Sequence, residues 1–409
     1  MAGVDNSPEF LMKILLIYHF FHPDTVISAR LFSDLAEDLA AEGHEVTVYT
    51  SNRCIRSDAE LPASEEWHGV KICRFARPGF KQGSNVGRVL NSFVLQHKWL
   101  KAFKRQRNEF DTVIVGTDPQ FCWMMFPKMK RIAPNVRLLH WVFDLYPEAL
   151  AATGSRIMRM AAWMLRPLAR RAYRNVDVMA DIGDCMRRRL QAYGHHAEEV
   201  TITPWALKEA PEVAPIDLDM RKRLFGDAKL CFLYSGTVGH AHDITPFIEL
   251  ARECRRRKLS VAFCFAGYGN RFQEQTARIT ADDDNITLAG FADEDELAKR
   301  LAAADFHLIS LRPGWEGIVV PSKFFASLAM GRPVLFSGGE NSEISGWIRQ
   351  FNLGYRLEND FINELEQLLT NKEAVSHLQK NAFAAYQEHF SRRKMVSKIS
   401  EMEYERHTN

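Results

Sequence analysis

The chain has 409 residues, too many for one ordinary hydrophobic core, so two domains or more are expected. Hydrophobic residues make up 46% and charged residues 25%, the balance of a water-soluble globular enzyme, and a formal charge of +2 argues against a protein built to coat nucleic acid. The seven cysteines are scattered without a Cys-x-x-Cys pair, which disfavours structural zinc and a disulfide framework and points to a reducing cytosol.

No run of about 18 apolar residues occurs, so no membrane-spanning helix is expected. Residues 1–11 have neither helical nor strand period and read as an expression remnant ahead of a native start at Met12. Segment 13–19 is an apolar run of the kind a buried parallel strand carries. After a loop, Leu31, Leu35 and Leu39 recur at helical spacing, with Ser28 as the expected N-cap and Gly43 as the stop. A strand at 45–51 completes a βαβ unit, which implies a parallel sheet. Further strands are expected at 111–117, 136–143 and 179–184, and helices at 86–108 and 155–174, filling a first domain of 12–195. Residues 196–228, with three prolines and many acids, read as the interdomain connection. A second alternation fills 229–372, with strands at 229–237, 260–269, 286–291, 305–311 and 332–338. The tail, 373–409, is helical and polar and is expected to pack back on the first domain. Two α/β sheets of this kind bind ligands beyond the carboxyl ends of their strands, which predicts a cleft between domains.

Two stretches carry the chemistry. The turn after strand 229–237 reads Ser-Gly-Thr-Val-Gly-His-Ala-His-Asp. Its glycines let backbone N–H groups approach an anion at a helix start, although an ordinary βα turn needs the same glycines. It is not the Gly-x-Gly-x-x-Gly fingerprint, so a nicotinamide enzyme is not favoured. The segment Val-Val-Pro-Ser-Lys ends a strand, with Ser322 placed to cap the next helix and Lys323 in its first turn. The helix dipole disfavours a lysine there, and a bound phosphate would reconcile the two; the alternative is a solvated surface lysine. In the first domain, Asp144 lies just past the strand 136–143 and is a candidate to orient or deprotonate a hydroxyl. It could equally cap a turn before Tyr146-Pro147. His140, four residues earlier, shares its side if the strand persists, and Glu148 is the reserve acid.

These motifs, with Phe-Ala-Gly-Tyr-Gly, Ala-Ala-Ala-Asp-Phe-His-Leu-Ile-Ser-Leu and His-Trp-Val-Phe-Asp-Leu-Tyr-Pro-Glu, resemble glycosyltransferase family 4 over nearly all of 12–370. The narrower resemblance is to the bacterial branch that builds surface polysaccharides such as O-antigen. The resemblance implies a GT-B fold, two doubly wound Rossmann-like domains facing a central cleft. It implies a retaining hexosyltransferase with no cofactor and no metal, using a nucleotide-diphosphate sugar, UDP ahead of GDP. Gly236, Gly239, Gly267, Gly269, Ser322 and Lys323 would hold the donor, with Lys323 neutralising the departing diphosphate.

The chain departs from that pattern in three places. A glutamate that grips the ribose in many members aligns with Ala326 here, Glu316 is off the expected offset for its partner, and Glu343 is the candidate substitute. An Arg and a Lys are replaced after the turn by His240, a candidate phosphate donor, and by His242, read as structural. A Gly-Gly pair in the first domain is replaced by Thr-Val-Ile-Ser-Ala-Arg, where Ser28 and Arg30 could present donors instead.

Segments 86–108 and 155–174 are basic, free of acids and carry aromatics, including Phe93, Trp99, Phe103 and Trp163. They suit an anionic membrane surface, as a polyprenyl-linked or other glycan acceptor would require, or are simply solvated faces. The expected location is cytoplasmic, peripheral on the inner face of the cell membrane, with no nucleic-acid partner. The rival readings are a nucleotide-sugar epimerase of GT-B fold and a non-catalytic nucleotide-sugar binder.

Overall fold

The computed structural model describes residues 11–55, 59–80, 85–290 and 292–408, so most of the expected 1–11 remnant lies outside it. The chain divides into two compact units, one of Met1–Thr203 with Met395–Asn409, the other of Pro204–Lys394.

The first unit is built on an eight-stranded sheet. In chain order its strands are β1 (Lys13–Ile17), β2 (Glu45–Ser51), β3 (Ser64–Trp67), β4 (Val70–Phe75), β5 (Thr112–Val115), β6 (Arg137–Trp141), β7 (Val178–Asp181) and β8 (Glu198–Thr201). Their spatial order is β3-β4-β2-β1-β5-β6-β7-β8, all parallel except the β3–β4 hairpin. β5, β6 and β7 are buried along their whole length, as strands covered by helices on both faces must be. The covering helices are α1 (Ile27–Ala41), α2 (Asn85–Arg105), α3 (Phe126–Ile132), α4 (Glu148–Ala152), α5 (Arg156–Tyr173) and α6 (Asp184–Gln191). α1 buries Leu31, Phe32, Leu35 and Leu39 on one stripe and stops before Gly43 at φ +94°. It starts two residues earlier than expected, with Val26 at the N-cap position, so Ser28 lies inside the first turn and is not its cap.

The second unit carries a six-stranded parallel sheet of β9 (Leu230–Ser235), β10 (Val261–Ala266), β11 (Ile286–Ala289), β12 (Phe306–Ser310), β13 (Val334–Ser337) and β14 (Gly354–Arg356). Their spatial order is β11-β10-β9-β12-β13-β14. Its helices are α7 (Leu218–Phe225), α8 (Thr245–Arg256), α9 (Asn270–Thr276), α10 (Glu294–Ala303), α11 (Lys323–Ala329), α12 (Glu343–Phe351), α13 (Phe361–Thr370) and α14 (Lys372–Ala385). Phe232 on the central strand stacks on Phe263 and Phe306 of its two neighbours, and this aromatic row anchors the core.

Two boundaries differ from the sequence reading. The expected connection 196–228 contains β8, which pairs with β7, and α7, which packs on α10. β8 was hidden because it is an edge strand, half-buried and acidic, and so lacks an apolar signature. Of the tail 373–409, α14 stays in the second unit. Only the part of α15 (Arg392–Thr408) from Met395 onward joins the first, where Met395, Val396 and Ile399 are buried and Arg137 donates to the Met402 carbonyl.

Arg332 is the deepest charge of the second unit, at 0% exposure. Its guanidinium donates to the carbonyls of Ala214 at 2.7 Å, Ala302 at 2.8 Å and Met330 at 3.0 Å, tying three chain segments at the foot of β13. Replacing it by Met strands these buried acceptors, and each unmade bond costs about 1–3 kcal/mol. Arg332→Met is therefore expected to lower the denaturant midpoint of the second unit by the equivalent of about 3 kcal/mol. Lys222→Met, which removes an exposed pair with Asp227, should shift it by less than about 0.5 kcal/mol.

Candidate functional site

In a doubly wound sheet the ligand crevice opens where the strand order reverses, because the loops leaving the two adjacent strands run to opposite faces. In the second unit that point lies between β9 and β12. The turn leaving β9 begins at Gly236, held at φ +126° by its N–H bond to the Ala266 carbonyl. A Cβ at Gly236 would meet the Lys323 stem at 3.6 Å, and one at Gly267 would come within 2.8 Å of the Gly236 carbonyl. Both positions thus need glycine, the first for its backbone angle and the second for close approach. Gly269 also needs it, for φ +100° just before α9, whereas a Cβ at Gly239 would meet open space.

Side chains stitch the β9 turn to the end of β12. His242 Nδ1 meets the Ser310 carbonyl at 2.8 Å, the Asp243 N–H donates to the Ser310 hydroxyl, and the Arg312 N–H donates to the Ala241 carbonyl. Burial, helped by the Lys323 charge, pushes His242 down to about 3, so it is a neutral strut. His240 is exposed and its carbonyl faces the Arg312 guanidinium at 3.4 Å. Glu316 accepts from the Gly314 N–H at 2.7 Å and abuts Gly339, so it braces two loops. Glu343 is half-buried at the first position of α12, beyond β13.

Lys323 is the centre of this arrangement. Its ammonium donates to the Tyr234 hydroxyl at 2.6 Å and the Thr237 carbonyl at 3.3 Å, and lies 4.1 Å from the Tyr234 ring centroid. Among the described residues it has no carboxylate partner. Burial alone pushes it down to about 7. Solvent still reaches part of the side chain, which damps that push relative to a sealed core. The expected cap does not form: Ser322 has helical angles and its hydroxyl makes no capping bond. Sequence reasoning missed Tyr234, whose position in an apolar strand reads as plain core, and Arg312, which directly follows a recognised strand.

In the first unit the order reverses between β1 and β5. Past β1 come Tyr18 and His19, and past β5 comes Gly116-Thr117-Asp118. His19 Nδ1 lies 2.9 Å from Asp118 Oδ1, while its Nε2 is buried with no protein partner. Tyr18 bonds to Ser28 and feels both Asp118 and Asp144. A Cβ at Gly116 would strike the Tyr18 ring at 2.5 Å, which explains the glycine in that motif. Asp144 is exposed to solvent, yet desolvation by its neighbours, then Asp118, pushes its carboxyl up to about 6. Arg30 is half-buried on α1 near His22, whose imidazole is lowered mainly by burial.

Two expected acceptor-side residues do not join this group. His140 is fully buried, bonds to the Val115 carbonyl at 2.9 Å and is pushed down to about 4 by burial. Strand β6 ends at Trp141, so the alternation linking it to Asp144 does not persist. Glu148 is also buried, and its carboxylate accepts from the Tyr193 hydroxyl and faces Arg166 at 3.6 Å.

A lysine held below its free value is penalised while charged. The penalty is complete below about pH 7 and fades as pH climbs toward the free-lysine value near 10.4. Ligand-free Lys323→Met is therefore expected to melt above the parent at about pH 6 and to lose most of that advantage by about pH 9.5. A melting difference that does not change with pH would show the lysine to be ordinarily solvated.

The profile of the "Glycosyl transferase 4-like domain" matches residues 28–206, and that of "Glycosyl transferases group 1" matches 229–371. A Pseudomonas aeruginosa protein named as the glycosyltransferase WbjE is 28% identical over 277 residues, 66% of this chain and 67% of its own. The Escherichia coli K12 protein WcaI, named for colanic acid biosynthesis, is 26% identical over 354 residues, 81% of this chain and 85% of its own. Among solved structures, sucrose-phosphate synthase from Thermosynechococcus elongatus superposes with a TM-score of 0.74 at 16% identity, covering 97% of this chain and 99% of its own. Anabaena HepE, solved with UDP and glucose, gives 0.67 at 12% identity, covering 96% and 100%.

Proposed function

The chain belongs to the GT-B glycosyltransferases that join these two domains, and on that footing we propose that it is a retaining enzyme using a nucleotide-diphosphate sugar, UDP-linked ahead of GDP-linked. The single observation that carries this reading is the Lys323 ammonium, desolvated beside the Gly236 turn without a carboxylate to neutralise it. Such a cation suits a doubly charged diphosphate. It would stabilise the negative charge that grows as the bond from the sugar C1 to the β-phosphate oxygen breaks. That supply of positive charge is why the reading needs no metal ion at the leaving group. Ser322, with its hydroxyl unspent, and His240 are the further donor-side candidates. Glu343 is the candidate for the ribose hydroxyls.

The acceptor hydroxyl forms the new bond to C1 and gives up its proton, which we assign to Asp144. A carboxyl pushed up to about 6 is a stronger base than an ordinary aspartate and is still mostly ionised at neutral pH. WcaI is named for colanic acid biosynthesis, and we propose for this chain a lipid-linked glycan acceptor and with it a peripheral position on a membrane. No helix among the described residues is long and apolar enough to cross one.

Thermal-shift measurements with UDP, GDP and ADP test the donor. Binding at about 100 times the dissociation constant stabilises the folded chain by about 2.7 kcal/mol. One nucleotide series should raise the melting temperature, and Lys323→Met should abolish the rise. No rise with any nucleotide, in folded protein, would sink the reading. In the acceptor reaction, Asp144→Asn is expected to lower kcat by roughly 10²–10⁴ and to erase a rising limb centred near pH 6 in the parent. NMR of the first-formed product must show the donor's anomeric configuration, and an inverted product or an epimerised donor would refute retention or transfer.

A further inference from the structure

Resting on the membrane-acceptor reading above, we infer that helix α5 alone is the docking surface, lying flat on an anionic bilayer with one apolar stripe inserted. The two basic segments that look alike in sequence have different fates in the fold. On α2, Trp99 and Phe103 are at 0% exposure, and among its described large apolar side chains only Leu90 and Phe93 are largely exposed. Its aromatics are mostly core, which corrects the expectation for 86–108.

On α5 the large apolar side chains point outward. Ile157 is 67% exposed, Met160 60%, Trp163 73%, Met164 62% and Leu168 52%. Single exposed apolar residues are common, but five on one helix form a patch. At ~100° per residue they fall in one sector, spaced three and four apart. The opposite sector, Ala162, Ala169, Ala172 and Tyr173, is buried against α3, α4 and the turn at Cys122–Met125. Between them, on the flank beside Trp163, lie Arg159, Arg166 and Arg170, with Arg156 and Arg174 near the helix ends. Arg166 approaches Glu148, but Arg156, Arg159, Arg170, Arg171 and Arg174 form no ion pair among the described residues, and the helix contains no acid.

That charge pattern selects the occupant. An apolar stripe bordered by unneutralised guanidinium groups matches the boundary between acyl chains and anionic headgroups, where Trp and Arg each keep a polar end wet. A protein partner of equal fit would need a matching row of acids around an apolar groove.

The test uses the whole chain with vesicles of phosphatidylcholine, pure or with about one-third phosphatidylglycerol, in a sedimentation assay. Binding is expected to the anionic vesicles, weakened by salt and at least tenfold poorer on neutral ones. Replacing Trp163 and Met164 together by Ser should lower partitioning at least tenfold, as should Arg159→Gln with Arg170→Gln. Leu90→Ser with Phe93→Ser on α2 should leave it unchanged. Every variant must keep the parent's nucleotide-induced thermal shift, which separates loss of docking from loss of fold or donor site. No binding by the parent chain, or binding lost only through the α2 changes, would overturn the inference. So would a parent dimer that the α5 changes convert to monomer. Vesicle binding without any nucleotide response would leave this docking standing while refuting the donor reading.

Discussion

The ammonium of Lys323 rests on a phenol and a carbonyl, where most desolvated lysines rest on a carboxylate. Neither neutral partner cancels its charge, so burial pushes the group down to about 7 and leaves it poised to gain from an anion. Much of the second unit's crivice serves that arrangement. Gly236 supplies the φ of +126° that starts the turn beside the lysine, and Gly267 lets the neighbouring strand end lie against Gly236. The first turn of α11 is fixed from behind: the Ser327 hydroxyl donates to the Lys323 carbonyl and meets His307 Nδ1 at 2.7 Å. His242 is kept neutral by burial and by the nearby lysine, so it adds no second positive charge beside Lys323.

The first unit presents the opposite charge at the equivalent topological point. Asp118 and Asp144 both lie beyond the carboxyl ends of central strands, and their mutual repulsion adds to the desolvation that raises Asp144. Asp118 itself is held toward His19 at 2.9 Å. Two sheets of the same winding thus carry a cation in one unit and a raised carboxylate in the other.

The parallel sheets were legible because fully buried strands are written as near-continuous apolar runs, as in β10. Lys323 and the Gly236 turn were legible because both break the local rule around them: a lysine at the wrong end of a helix dipole, and glycines where a strand meets a helix. Other residues obeyed local rules that tertiary structure overrode. Ser322 and Ser28 look like caps, but neither makes a capping bond. His140 was grouped with Asp144 because alternation was carried past the end of β6, which stops at Trp141. Glu148 was a reasonable acid until the fold brought Tyr193 to it across 45 residues. The edge strands β8 and β14 are short and half-buried, so they carry no apolar pattern to read.

The same limit governs the basic segments, and there composition is the weaker guide. A net charge of +2 conceals an arginine-lined helix on which, among the described residues, Arg166 alone meets a carboxylate. α2 and α5 have comparable content, and what separates them is phase, that is, which side of each helix the fold covers. α2 spends Leu95, Trp99 and Phe103, four residues apart, on the core, so the burial that stabilises it also removes its aromatics from the surface. α5 spends three alanines and, at its end, Tyr173, so it buries less apolar area and keeps Ile157, Met160, Trp163, Met164 and Leu168 outside. A helix that packs through its smallest residues and exposes its largest is poorly optimised for a water-facing position. It becomes favourable once a second apolar phase covers the exposed side, and the unpaired arginines state which charge that phase must carry.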